Sequence, residues 1–144
     1  MWNTEVSIDI AAPAEKVHRY LADFTRHSEW SMSVATIEQV TPGPVGVGTE
    51  FKASEKIPAK FVSFARITAL DEPKLVAWES TDHKIFRTNW EMVLSAQNGG
   101  THLVQRVTFH PLGLIGPILL LVRKRQATPE NLKSLQRLKE ILER

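Results

Sequence analysis

The sequence contains no cysteine, and this absence excludes disulfide bonds, thiol catalysis and cysteine-based zinc sites. The five histidines never recur at the HxH or HxxxH spacing that places two imidazoles around one metal ion. No P-loop, Rossmann glycine pattern or G-x-S-x-G motif is present. The sequence therefore predicts neither a metal site nor a bound cofactor.

Strong charge and long apolar runs are also missing. The 18 Lys and Arg nearly balance the 16 Asp and Glu, and the net charge of +2 is too small to indicate nucleic-acid binding. The longest apolar run, residues 114–122, is far shorter than the about 20 residues that span a bilayer. The N-terminus lacks the basic stretch followed by an apolar one that marks a signal peptide. We therefore expect a cytoplasmic protein.

What the sequence does contain is the composition of one ordinary globular domain over residues 1–144, with 42% hydrophobic and 24% charged residues. Alternating and β-favouring segments predict six to seven strands. They span residues 5–10, 34–40, 48–54, 61–70, 75–80, 85–95 and 101–110. Two short helices, residues 13–22 and 24–30, are predicted between the first and second strands, and residues 56–60 are predicted as a loop. Strands joined by tight turns are antiparallel, so this order predicts an α+β fold.

The last third of the chain gives the clearest local pattern. Two alternating strands flank Asn98-Gly99-Gly100, residues that tolerate the positive φ of a tight hairpin turn. A helical region follows, and its apolar stripe is predicted to consist of Leu132, Leu135, Leu138, Ile141 and Leu142. Thr128 and Pro129 have the features of an N-cap and a first helical residue. The sequence therefore predicts either one long helix kinked near Pro129 or two consecutive helices.

Several segments, in this order, resemble the helix-grip superfamily, also called START-like or SRPBCC, and its polyketide cyclase/dehydrase-like branch. They are VSIDIAAPAEKV at residues 6–17, LADF at 21–24, EW at 29–30, GVGT at 46–49, ITALDEP at 67–73, and WEMVL at 90–94 leading to GT at 100–101. The resemblance covers nearly the whole chain. It implies a curved antiparallel sheet that wraps around a long C-terminal helix, with an internal cavity between them.

Members of that superfamily bind lipids, sterols, hormones or polyketides, and some catalyse cyclisation or dehydration. The matching motifs are structural, so they assign no catalytic residue to this chain. The resemblance therefore implies a small hydrophobic ligand as the partner. A polyketide cyclase or dehydratase acting in the same cavity is the alternative.

The predicted ligand-binding residues are mostly apolar side chains of the inward face, which could equally fill a closed core. They are Trp30, Phe51, Trp78, Trp90, Met92, Leu103, Gln105, Val107 and Phe109. Gln105 stands between Leu103 and Val107 on the apolar side of the last strand. Its amide either bonds a polar group of the ligand or finds backbone or water partners.

Two further features remain open at this point. For an enzyme, polar groups such as Gln105, Asn89 or His83 would act on the substrate, but no ionisable residue falls on the inward side of the final hairpin. The segment from Leu114 to Arg125 is more apolar than one buried face requires, and it ends in three basic residues. It is either buried core, a lid, a homodimer contact or a peripheral membrane contact.

Overall fold

Seven strands form one antiparallel sheet in the order β1-β7-β6-β5-β4-β3-β2, in a computed structural model that describes residues 1–56 and 60–144. The strands are β1 Trp2–Ile10, β2 Val34–Gln39, β3 Glu50–Glu55, β4 Phe61–Asp71, β5 Leu75–Thr81, β6 Phe86–Gln97 and β7 Gly100–Pro111. The helices are α1 Ala14–Ala22, a 3-10 turn Phe24–Arg26, α2 His27–Trp30 and α3 Gly116–Leu142. The sheet is curved around α3, and this confirms the predicted helix-grip architecture.

The β6–β7 hairpin follows the sequence prediction closely. Gln97 pairs with Gly100, and Asn98 and Gly99 take the positive φ values of 51° and 79° that a two-residue turn needs. Gly100 is required for a different reason: a Cβ at this position would lie 2.6 Å from the carbonyl oxygen of Ile10. The turn therefore fixes the hairpin register and also lets the end of β1 approach β7.

The C-terminal region forms one long helix, the first of the two predicted arrangements, but no helix begins at Thr128 and Pro129. Both residues lie inside the single helix α3, so Thr128 is not an N-cap. The Thr128 hydroxyl instead shares a hydrogen bond with the hydroxyl of Thr4 on β1. Pro129 has no N–H to pair with the carbonyl of Arg125, and Arg125 is exposed, so that carbonyl is accessible to water. Packing against the sheet thus overrides a local start signal.

The remaining differences in boundaries are small. β1 begins three residues earlier than predicted, because Trp2 pairs with Phe109 at the far end of β7. Pro13 is the N-cap of α1 rather than its first helical residue. The predicted loop 56–60 is described only at Lys56 and Lys60, and its central residues 57–59 lie outside the described part.

The main core lies between the sheet and the C-terminal half of α3. Leu135, Leu138 and Leu142 are buried against it, whereas Leu132, which the sequence places on the same stripe, is exposed. A smaller apolar cluster lies under the N-terminal half of α3 and consists of Val107, Phe109, Leu120 and Ala127. The C-terminal half of α3 therefore packs on a large apolar core, and the N-terminal half packs on a small one.

Candidate ligand cavity

The inner face of the sheet and the N-terminal half of α3 border a cavity of about 420 Å³, which we call the main cavity. This volume lies in the range of about 300–1,000 Å³ that is typical of sites for small organic ligands. The apolar wall consists of Phe61, Ile85, Phe86, Trp90, Phe109, Leu119 and Val122. Strand alternation explains the sheet side of this wall, because every second residue of β6 and β7 faces α3.

A smaller space of about 50 Å³, the inner cavity, lies deeper among the aromatic side chains that follow α1. Phe24, His27, Trp30 and Trp78 form one side of it, and Asn131 and Ser134 of α3 border it as well. The two cavities share part of their lining, namely Ser33, Glu55, Ser63, Ser80, Trp90, Glu130 and Asn131. A ligand in the main cavity can therefore extend toward the inner one.

Aromatic contacts hold the wall between the cavities in place. The Trp78 and Trp90 rings stack with centroids 5.7 Å apart and planes 5° apart, and the Phe24 ring meets the edge of Trp78 at 5.2 Å. The Trp90 indole N–H donates to Ser80 Oγ at 3.1 Å. Because these rings are fixed by several neighbours, we expect the wall to be largely preformed.

His27 is a buried, uncharged part of the same aromatic cluster. Its Nε2–H donates to the carbonyl of Leu21 at 2.8 Å, and its ring stacks on Phe24 at 4.2 Å. Burial lowers the pKa of His27 to about 4. The imidazole is therefore neutral at physiological pH and packs as an apolar ring with one satisfied donor.

Three charged side chains line the main cavity from α3 and the end of β3. Arg123 Nη1 and Glu130 Oε2 are 2.9 Å apart, and both side chains are nearly buried. Glu55 accepts a 3.0 Å hydrogen bond from the Ser63 hydroxyl through Oε1. Burial raises the pKa of the Glu55 carboxyl above its ordinary value, and the negative charge of Glu130 adds to the rise. The Ser63 hydrogen bond, the nearby Ser33 hydroxyl and the positive charge of Arg123 oppose it.

Four buried side chains have polar atoms with no hydrogen-bond partner among residues 1–56 and 60–144. Three of them, Trp30 Nε1, Glu55 Oε2 and Asn131 Nδ2, belong to residues that line the inner cavity. The fourth is the amide of Gln105, whose nitrogen and oxygen are both unpaired in the closed part of the core. The unpaired polar atoms of the site therefore belong to residues at its inner end.

The structure divides the nine predicted ligand-binding residues into two groups. Trp30, Trp78, Trp90 and Phe109 line one or both cavities. The other five are closely packed in the core away from both cavities, and they are Phe51, Met92, Leu103, Gln105 and Val107. Ligand contact at any of the nine positions stays a prediction.

The residues suggested for an enzyme lie outside the cavities. His83 is exposed in the turn before β6, and Asn89 faces the outer side of the sheet, where its amide is 3.3 Å from His110 Nε2. Within residues 1–56 and 60–144, no three His, Asp or Glu side chains are grouped so that they could hold a metal ion. No helix in those ranges is long and apolar enough to cross a membrane.

Sequence reasoning missed the polar residues of the site, although signals for them exist. Glu55 has the same parity on β3 as the buried Phe51 and Ala53, so alternation places it inward. Asn131 lies four residues before Leu135, on the buried face of α3. Arg123 belongs to a basic run that is typical of a solvated face, and only its pairing with a carboxylate on the same helix face allows it to be buried.

Solved structures of the same fold cover nearly the whole chain. The Zhui aromatase/cyclase from Streptomyces sp. R1128 is 17% identical with a TM-score of 0.80, over 99% of this chain and 94% of that one. A START superfamily protein from Mycobacterium smegmatis is 14% identical with a TM-score of 0.74, over 97% and 98%. The di-domain ARO/CYC StfQ from the steffimycin biosynthetic pathway is 14% identical with a TM-score of 0.78, over 98% and 50%.

At these identities the structural likeness establishes the fold alone. No curated protein matches the chain in sequence. A family model described as polyketide cyclase/dehydrase and lipid transport, however, matches residues 1–143, nearly the full length. The chain therefore belongs to the polyketide cyclase/dehydrase and lipid transport family.

Proposed function

We propose that the protein binds a small, largely apolar molecule in the main cavity. The observation that carries this proposal is the space of about 420 Å³ with an aromatic and aliphatic wall between the sheet and α3. An apolar ligand would gain free energy by leaving water for this wall, and the few polar side chains would orient it. The family description and the aromatase/cyclase neighbours agree with such a ligand.

Blocking the cavity tests this proposal. Thr88 is buried on β6 and lines the main cavity, so Thr88→Phe directs a ring into the space that the ligand would use. We expect the affinity for the neutral fluorescent probe N-phenyl-1-naphthylamine to fall about tenfold or more, as displacement of a well-fitting apolar group requires. Thr68→Phe, the same change on the exposed face of β4, is the matched control. Equal affinities of the two variants would contradict the proposal.

A second candidate function is catalysis of the cyclase or dehydratase type in the same cavity. Glu55 favours it, because a partly buried carboxyl with a raised pKa is suited to take a proton from a carbon next to a carbonyl group. If the protein is such an enzyme, a poly-β-ketone thioester will turn over with the natural chain and not with Glu55→Gln. If the natural chain and Glu55→Gln both bind the thioester and neither turns it over, only the binding function remains supported.

We also propose that the start of α3 contacts an anionic membrane surface from which a ligand could enter. Leu114, Ile118 and Leu121 are exposed, and the exposed Lys124 and Arg125 follow them. Apolar side chains next to basic ones are typical of helices that lie at a membrane interface. A homodimer through the same residues is the alternative, and a cytoplasmic location stays a prediction.

Flotation with phosphatidylserine-containing vesicles tests the membrane contact. Ile118→Glu is expected to abolish co-flotation, whereas Leu132→Glu, at an exposed position later in the same helix, should retain it. A change from dimer to monomer mass in Ile118→Glu, without any vesicle binding by the natural chain, would favour the homodimer instead.

A further inference from the structure

The inner cavity is bordered by polar atoms that lack partners. Within residues 1–56 and 60–144, Trp30 Nε1, Asn131 Nδ2 and Glu55 Oε2 make no hydrogen bond. Trp30 and Asn131 are 2% and 6% exposed, so bulk water hardly reaches them. Buried polar atoms in proteins are nearly always paired, because desolvation without a partner is unfavourable. All three residues line the same space of about 50 Å³, and this indicates that the space receives a polar group.

The three atoms differ in the hydrogen bonds that they can make. The Trp30 indole N–H and the Asn131 amide N–H groups can only donate, whereas a carboxylate oxygen accepts. Glu55 Oε1 already accepts from the Ser63 hydroxyl at 3.0 Å, which leaves Oε2 to accept from another group. The group that complements this set must therefore accept two hydrogen bonds and donate one.

We propose that the inner cavity recognises a hydroxyl group at one end of an apolar ligand. Trp30 and Asn131 donate to the hydroxyl oxygen, and Glu55 accepts the hydroxyl hydrogen. The apolar remainder of the ligand extends past Trp90, which borders both cavities, into the main cavity. The ligand class is thus an alcohol or a phenol with an apolar body.

Other polar end groups complement the inner cavity less well. A carboxylate would be repelled by Glu55 and by Glu130, which also lines this space. A carbonyl or ether oxygen would accept from Trp30 and Asn131 but would leave Glu55 Oε2 unpaired. An ammonium group would pair with Glu55 but would meet the two donors. Among the polar end groups of an apolar ligand, a hydroxyl is the smallest neutral one that satisfies all three atoms.

This inference rests on the proposed binding of an apolar molecule, so its test compares ligands with the same apolar body. The probes are naphthalene, 2-naphthol, 2-methoxynaphthalene and 2-naphthoate, titrated with tryptophan fluorescence as the readout. We expect 2-naphthol to bind about tenfold or more tightly than 2-methoxynaphthalene, as a hydrogen bond to a charged acceptor predicts. The methoxy compound is the more apolar of the two, so hydrophobicity alone predicts the opposite order.

Two variants assign this preference to the named atoms. In Glu55→Gln the Ser63 hydroxyl retains its acceptor and the introduced amide N–H₂ replaces the acceptor Oε2. The preference for 2-naphthol over 2-methoxynaphthalene, measured as the ratio of their two affinities, should then disappear. Glu50→Gln, the same change at an exposed position on β3, should preserve the preference. Trp30→Phe retains an aromatic ring but removes the indole donor, so it should weaken the binding of 2-naphthol and of 2-methoxynaphthalene relative to naphthalene.

The outcomes separate this inference from the proposed function. If none of the four probes binds, the apolar-ligand proposal itself fails. If all the neutral probes bind and 2-naphthol shows no preference over 2-methoxynaphthalene, the main cavity binds apolar molecules and the hydroxyl site is overturned. A preference that persists unchanged in Glu55→Gln would likewise overturn it, because recognition would then not involve Oε2.

Discussion

The two ends of α3 lie over the same sheet but contact it in different ways. The C-terminal end is fixed: Leu138 is fully buried, Lys139 Nζ donates to the Asp9 carbonyl at 2.7 Å, and the Ala11 N–H donates to Glu143 at 2.7 Å. The N-terminal end instead borders the main cavity and exposes Ile118 on its outer side. One helix therefore packs closely on the sheet at one end and borders a cavity at the other.

This difference shows how a small domain can retain a cavity without losing its stability. Unfilled volume lowers stability because the lining side chains lose contacts. The closed end, with its fully buried leucines and its hydrogen bonds to Asp9 and Ala11 at the end of β1, supplies the free energy that the open end lacks. We expect substitutions at the two ends to affect stability and ligand binding separately.

The largest expected difference is between Leu138→Ala and Leu121→Ala. Leu138 is completely buried in the main core, whereas Leu121 is exposed on the same helix. Leu138→Ala should lower the free energy of unfolding by about 3–4 kcal/mol, because it removes buried methyl groups and leaves a cavity. Leu121→Ala should change it by less than about 0.5 kcal/mol. Urea denaturation of both variants measures the difference, and equal losses would mean that the two ends are packed alike.

The next effect concerns the ion pair at the open end. Arg123 is nearly buried with Glu130, so Arg123→Met leaves a buried carboxylate without its partner. We expect a loss of about 3 kcal/mol in the free energy of unfolding. The double variant Arg123→Met/Glu130→Leu should regain most of it, because no uncompensated charge remains. If the double variant is as unstable as the single one, Arg123 and Glu130 stabilise the fold through contacts other than the compensation of their charges.

A smaller effect is expected from His27, which lies where the closed core meets the inner cavity. Its pKa falls from the ordinary 6.5 to about 4 on folding, because burial disfavours the charged form. The unfolded chain therefore binds a proton more readily, and stability is lost as pH falls from 6.5 toward 4. This linkage predicts a loss of about 2 kcal/mol between pH 7 and pH 5.

The variant His27→Gln provides the comparison for this pH dependence. A glutamine does not titrate in this range. The fall in unfolding free energy between pH 7 and pH 5 should therefore be about 2 kcal/mol smaller in His27→Gln than in the natural chain. The comparison uses the pH dependence rather than the absolute stability, because the substitution itself disturbs the aromatic cluster. An identical pH dependence in both proteins would mean that His27 does not titrate with a lowered pKa.

The fold was largely predictable from the sequence because its signals are local and repetitive. The alternation in β6 and β7 and the turn at Asn98 and Gly99 determine the hairpin without any knowledge of distant contacts. The start signal at Thr128 and Pro129 was misleading, since packing of α3 on the sheet and the bond to Thr4 extend the helix through it. A cap preference of about 1 kcal/mol, and even the cost of about 3 kcal/mol for a proline inside a helix, yield to tertiary contacts of this kind.

The site was less predictable, because strand parity gives the direction of a side chain and not the space in front of it. Trp90 and Met92 face the same way on β6, yet Trp90 borders both cavities and Met92 is enclosed. The difference depends on which part of α3 lies opposite, and this requires the three-dimensional arrangement. Glu55 was overlooked because an acidic residue near the end of a strand is usually solvated.

The smallest expected effect lies in the closed half, at Gln105. This residue is 1% exposed, and its amide has no partner within the described part of the chain. Gln105→Leu removes the desolvation penalty at nearly constant volume and should raise the unfolding free energy by about 1 kcal/mol. Gln97→Leu, at an exposed position of β6, should change it by less than about 0.5 kcal/mol. A loss of stability in Gln105→Leu would mean that an enclosed water pairs with the amide, and a loss of affinity for N-phenyl-1-naphthylamine would mean that the ligand reaches into the closed half.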